Sequence, residues 1–313
     1  FRNNKQITNF KNMYVENRAV FQGGVLYFKD CDYIRTIMCI FKRNSVDGEG
    51  GVIYISNAEV MITMQSIFLQ NKASVGSGVF QCLAVGKVVN IFSTFKANNG
   101  RVGGVMSIER SKKIINVAVV FLQNLAKQRG GVLDIKKVQS MKNLNCSFVA
   151  NSAATGSCFS TIYTTSLLTM DCRFIKNTCE YSQAAVITEG FHVAKVLRCK
   201  CVRNRGGVMS FEHGRKALVH QCSFLYNLGK SVGDVYVRKC DFLYESMLYS
   251  ASSKIDLAGA GTAASSVGTV FIVNATFMSS IAGHGGGVYS DKITIFKLLK
   301  ARFVNSRAID GAA

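Results

Sequence analysis

The sequence predicts an all-β chain wound as a right-handed parallel β-helix of about 12 coils, each 26 or 27 residues long. Three observations carry that reading. An aromatic-x-x-Asn motif recurs along the chain, a Gly-Gly-Val motif follows it at a nearly fixed distance, and the segment entering each aromatic residue alternates in polarity. Two independent motifs holding one period define a repeat, and a repeat of this length defines a solenoid.

The first motif runs Tyr14 to Asn17, Phe41 to Asn44, Phe68 to Asn71, Phe95 to Asn98, Phe121 to Asn124, Phe148 to Asn151, Phe174 to Asn177 and Phe224 to Asn227. Cys201 to Asn204 substitutes Cys for Phe, while Phe277 to Ser280 and Phe303 to Ser306 substitute Ser for Asn. Steps between aromatic positions are 27, 27, 27, 26, 27, 26, 27, 23, 53 and 26. The step of 53 is two periods, so one degenerate coil is expected near 240–266, around Ser252. The phenylalanines are expected to stack, and Asn17 through Asn227 to form an inward ladder at a corner, with side-chain amides bonded along the axis.

The second motif reads Gly23-Gly24-Val25, Gly50-Gly51-Val52, Gly103-Gly104-Val105, Gly130-Gly131-Val132, Gly206-Gly207-Val208 and Gly286-Gly287-Val288. Weaker copies are Gly78-Val79, Ser157-Cys158-Phe159, Ala184-Ala185-Val186, Gly233-Asp234-Val235 and Ala260-Gly261-Thr262. Glycine allows a bend with positive φ where a Cβ would clash. The small-residue stretch Ala258 to Ser266 reads as an outward loop.

Between the motifs, Val60, Ile62, Met64, Ser66 and Phe68 alternate with other residues, the period of a half-buried strand. Carried from coil to coil, that parity places Ile37, Met64, Ile91, Val117, Leu144, Met170, Leu197, His220, Val273 and Leu299 in one inward column. The residue after each, from Met38 and Gln65 to Asn274 and Lys300, then faces outward. No segment sustains the i, i+3, i+4 pattern of a helical solenoid. Rungs about 4.8 Å apart would make a rod of roughly 55 Å.

The whole chain, 1–313, reads as one domain with 48% apolar residues, enough for a continuous core. Proline is absent, which suits a backbone whose N–H groups are needed in ladders. No apolar run approaches the 18 residues of a membrane-spanning helix. A net charge of +20 favours acidic partners, acidic glycans among them, although no basic run or motif points to specific nucleic-acid binding. Phe1 is not an initiator Met and Gly311-Ala312-Ala313 falls where another turn belongs, so the chain is expected to be part of a longer one, continued or stacked axially by like coils.

Residues able to carry chemistry are few. Of 11 cysteines, Cys39, Cys146, Cys172, Cys199 and Cys222 share one inward column two residues before the aromatic position. In-register parallel side chains meet disulfide geometry poorly, so a buried thiol ladder is expected, with one or more bridges as the alternative. Cys199-Lys200-Cys201 lacks a second ligand pair at zinc spacing. Gly283-His284-Gly285 matches a tripeptide of pectin-cleaving β-helices, but Asp256 and Asp291 do not form the neighbouring acid set such chemistry needs. His220 is expected to be a satisfied core histidine. Asn145-Cys146-Ser147 and Asn274-Ala275-Thr276 are sequons, and both asparagines are expected to face outward. No catalytic residue, cofactor or metal site is assigned.

The paired motifs resemble the GG[A/I/L/V] and FxxN repeats of the polymorphic membrane protein family, found in chlamydial autotransporters and protist surface proteins. That resemblance covers nearly the whole chain and implies a β-helix displayed at the cell surface. No autotransporter barrel is present, and Val dominates where the chlamydial motif often has Ala. The expected function is therefore a non-enzymatic extracellular structural or adhesive module, with a polysaccharide-binding or polysaccharide-cleaving β-helix as the alternative.

Overall fold

The computed structural model describes residues 1–181, 184–229, 231, 233–256 and 259–310. It is a right-handed parallel β-helix with no α-helix among the described residues. One coil gives the plan. Ile53–Met64 is a long strand, Ile67–Leu69 a short one and Lys72–Ala73 a third, after which the chain climbs to the next long strand, Phe80–Ile91. Pairing is parallel and in register, joining Met64 to Ile91, Phe68 to Phe95 and Lys72 to Asn99. The long strands build a 16-stranded sheet, the Phe strands a 12-stranded sheet, and the third strands a 7-stranded and a 4-stranded sheet.

Corners are made by single left-handed residues, most of them not glycine. In this coil Asn57, Gln65 and Gln70 have φ of 58°, 50° and 55°, and equivalent residues repeat along the rod. Each such residue costs about 1–2 kcal/mol. The corner N–H groups still enter the ladder, Gln65 donating to the Ile91 carbonyl and Gln70 to that of Lys96, both at 3.0 Å. A proline supplies neither the positive φ nor the N–H, which accounts for a chain with none. At the glycine corner the requirement is stricter: Gly103 has φ 61°, and a Cβ there would lie 2.1 Å from the Met106 carbonyl oxygen.

The left-handed residue before each Phe strand corrects the column assignment made above. Two consecutive residues face outward around it, so Ile37, Met64, Ile91, Val117, Leu144, Met170, Leu197, His220 and Val273 are half-exposed instead of interior, and Leu299 is exposed. Interior positions are one residue earlier: Thr36, Thr63, Asn90, Asn116, Asn143, Thr169, Val196, Val219 and Ile272 are buried. At this stretch the apolar set faces out and a largely polar set, Thr36, Thr63, Asn90, Asn116, Asn143 and Thr169, faces in, so polarity alternation pointed to the wrong face.

Register also corrects several Gly-Gly-Val copies. Leu133 pairs with Phe159 and Met209 with Val235, so Cys158 and Asp234 stand where the motif has its Val. By the same register Ala185, Gly261 and Gly287 hold that position in their coils, one residue before Val186, Thr262 and Val288. Nor is 259–266 an outward loop. Thr262–Ser265 is a strand paired with Val235 to Arg238, and a Cβ on Gly261 would sit 2.3 Å from the Phe277 ring. Small residues are used there because a ring fills the space. Ala258 and Gly311 to Ala313 lie outside the described residues.

One coil is shorter than the rest. Only residues 205–208 connect Asn204 to the next long strand, Met209–His220, whereas 178–185 make the equivalent connection before Val186–Glu189. The third sheet is therefore interrupted at this coil, where Arg205 keeps isolated parallel bridges to Thr178 and Leu228.

Candidate functional site

Residues Asn44, Asn71, Asn98, Asn124, Asn151, Asn177, Asn204 and Asn227 are buried at the corner after the Phe strand, while Asn17 on the outermost of these coils is exposed. Their bonding is uniform. Asn98 donates its backbone N–H and its Nδ2 to Oδ1 of Asn124, both at 3.0 Å, and Nδ2 also reaches the Phe68 carbonyl at 3.0 Å. Every amide of the column thereby satisfies a corner N–H left over by the left-handed residue before it. The ladder ends where Ser253 replaces Asn: Asn227 turns its Nδ2 to Oδ1 of Asp234 at 2.9 Å.

Phenylalanines occupy the middle of the same sheet, facing in. Phe41, Phe68, Phe95, Phe121, Phe148 and Phe174 stack at 4.7 to 5.4 Å with interplanar angles of 3° to 19°. Phe277 and Phe303 form a second stack at 5.2 Å. Phe224 lies in the column but stacks with neither group, because Cys201 and Ser250 flank it in the pairing.

The cysteine column is interior, and its five members, like the other cysteines, are buried free thiols. Cys39 donates its N–H to Ser66 Oγ at 3.1 Å, and Cys146 and Cys199 donate theirs to the sulfurs of Cys172 and Cys222 at 3.4 Å. Thiol and hydroxyl therefore do the same job. Each group accepts from the adjacent coil and donates to the carbonyl two residues back, as Cys39 does to Ile37 and Ser66 to Met64. Hydrogen bonding to the neighbouring sulfur, with burial, holds the Cys172 and Cys222 thiols above the usual range, and burial alone pushes Cys82 up to about 12.

Two interior polar groups escaped the sequence reading. Asn90 donates to Asn116 and Asn116 to Asn143, each at 2.8 Å, forming a second amide ladder inside the long sheet. Its only signal was the recurrence of Asn at steps of 26 and 27, hidden by the parity assigned to the strand. The other group is acidic. Asp234 is buried and accepts from Ser250 Oγ at 2.6 Å and Ser253 Oγ at 2.8 Å, and burial pushes it up to about 7. Glu245 is buried too, accepts from Thr262 Oγ1 at 2.7 Å and is pushed up to about 8 by burial. Asp234 replaces a Val beside the place where Ser250 replaces a Phe, so the carboxyl fills room vacated by the ring.

On the surface, Asn145 and Asn274 are exposed left-handed corner residues with φ of 52° and 53°. His220 is half-exposed on the outer face, its Nδ1 2.7 Å from Ser246 Oγ, and so is not a core residue. His284 is exposed at the end of strand Ile281–His284, with the Tyr289 ring 5.9 Å away. Asp291 meets Ser265 Oγ at 3.4 Å. Asp256 instead lines a groove of about 610 Å³ at the shortened coil, with Glu180, Arg205, Lys254 and the backbone of Gly206 and Gly229. No family model, curated protein or solved structure matches the chain.

Proposed function

We propose that this chain is a structural β-helix module of an extracellular or cell-surface protein, acting as a spacer or adhesive rod that extends by axial addition of like coils. One observation supports this most directly. The coils are bonded along the axis through the sheets of three faces and two interior amide ladders, so the sequence is spent on axial continuity. The likeness to surface-protein repeats and the exposed sequon asparagines favour an extracellular setting.

Labelling of intact cells with an antibody against the folded module tests the placement. Staining before permeabilisation is the expected result, and staining only after it would overturn the reading. A polysaccharide-binding β-helix is the second reading, favoured by the groove holding Arg205, Lys254, Glu180 and Asp256. It predicts saturable oligosaccharide binding by calorimetry that Arg205→Ala abolishes.

A further inference from the structure

Over four successive coils, residues 33–43, 60–70, 87–97 and 113–123 run through the second half of the long strand, round its corner and along the Phe strand. Register stacks Ile37, Met64, Ile91 and Val117 in one outward column. A second outward column holds Ile40, Ile67, Thr94 and Val120. On and beside the ridge between them Met38 is 43% exposed, Ile67 43%, Phe92 62% and Val120 38%. The first column is apolar on all four coils, with Gln65 on the ridge and Thr94 in the second column as the polar members, and an apolar stripe of this kind marks an interaction face.

Its charge is one-sided. The four segments contain Arg35, Lys42, Arg43, Lys87, Lys96 and Lys113, and no Asp or Glu. Arg43 meets Glu16 of the preceding coil at 2.7 Å, and Asp32 and Glu59 stand just outside the first two segments. A second copy would bring the same cations to the interface and be repelled. An acidic polysaccharide would satisfy the lysines but has no hydrocarbon to cover Met38, Ile67 and Phe92. An anionic bilayer offers both.

We propose that this face docks on an anionic lipid bilayer, with Phe92 and its apolar neighbours entering the head-group boundary and the lysines meeting lipid phosphates and carboxylates. Four rungs span about 15–20 Å along the rod, and the sheets give the face a rigid backbone. The side of the rod is used, so its ends remain free, and the inference does not depend on the axial role proposed above.

The test is sedimentation of the intact chain with phosphatidylcholine vesicles, with and without phosphatidylserine. Binding at least about tenfold stronger to the phosphatidylserine vesicles is expected, and salt should weaken it. Phe92→Ser should lower it about tenfold, and Lys87→Glu with Lys113→Glu by at least about thirtyfold, the loss of two exposed-lysine contributions. Tyr163→Ser, at another exposed corner, should leave it unchanged. Circular dichroism establishes that each variant is folded. Absent binding, equal binding to both vesicles, or equal loss in Tyr163→Ser overturns the inference. So does a soluble polyanion held equally well by Phe92→Ser, which assigns the face to a glycan, or a dimer lost in Phe92→Ser, which assigns it to a second copy.

Discussion

The backbone N–H and the side-chain Nδ2 of Asn71 both donate to one atom, Oδ1 of Asn98, each at 3.0 Å. That relationship passes from Asn17 to Asn227 and ties each left-handed corner to the coil beside it. It explains why the motif needs Asn and why its interval is fixed: the residue must be short enough to curl back onto a corner, and must both donate and accept.

Asn124→Ala is the sharpest probe of the ladder. It removes the acceptor for two donors of Asn98 and the donor to the Phe95 carbonyl. A loss of about 1–3 kcal/mol is expected in urea unfolding, because buried groups are left unpaired. Unchanged stability would mean that the corner holds without the amide.

Asp234 and Glu245 make stability depend on pH in a stated direction. Their folded values of about 7 and about 8 stand above the ordinary 3.8 and 4.5 of exposed carboxyls, so the folded chain holds protons that the unfolded chain has lost. Stability conferred by the neutral forms is full below about pH 4 and declines as pH rises from there through 7 to 8. Melting temperatures at pH 5 and pH 8 should therefore differ, and Asp234→Asn with Glu245→Gln should shrink the difference. A wild-type chain equally stable at both would contradict this.

The repeat, the strands and the columns of Asn, Phe and Cys were legible because each is a residue type held at one interval. What failed was parity. Residues such as Met38, Gln65 and Phe92 adopt φ near 50° without being glycine, and no local signal in their sequence announces it. Each inserts an extra outward position, which hid the Asn90 ladder and turned His220 from core to surface. Several Gly-Gly-Val copies, the full one at Gly286-Gly287-Val288 included, slipped by one because Val186, Val235 and Val288 look like the motif's Val, while register puts Ala185, Asp234 and Gly287 there.

Gly261 should resist enlargement. An added methyl would meet the Phe277 ring at 2.3 Å and the Gly287 carbonyl oxygen at 2.7 Å. Gly261→Ala is expected to cost about 1–3 kcal/mol, and adding Phe277→Leu should recover part of that loss. Denaturation of the two single variants and the double variant measures the coupling, and strict additivity would place the clash elsewhere.

The thiols should be silent in the folded state. All 11 cysteines are buried, and a water-soluble thiol reagent is expected to find essentially none until the chain is unfolded, then to find every one. Rapid reaction of the folded chain, or fewer reactive groups after unfolding without reductant, would instead reveal exposure or bridges.

The central claim is that the module serves as a rod continued along its own axis. Electron cryo-microscopy of the protein tests it most directly. The predicted result is a straight rod with rungs about 4.8 Å apart along its length, its sheets running without a break past Met13 at one end and Leu299 at the other into further coils or a second copy. A compact particle whose β-helix ends at these rungs under an unrelated cap, with no coil beyond, would contradict it.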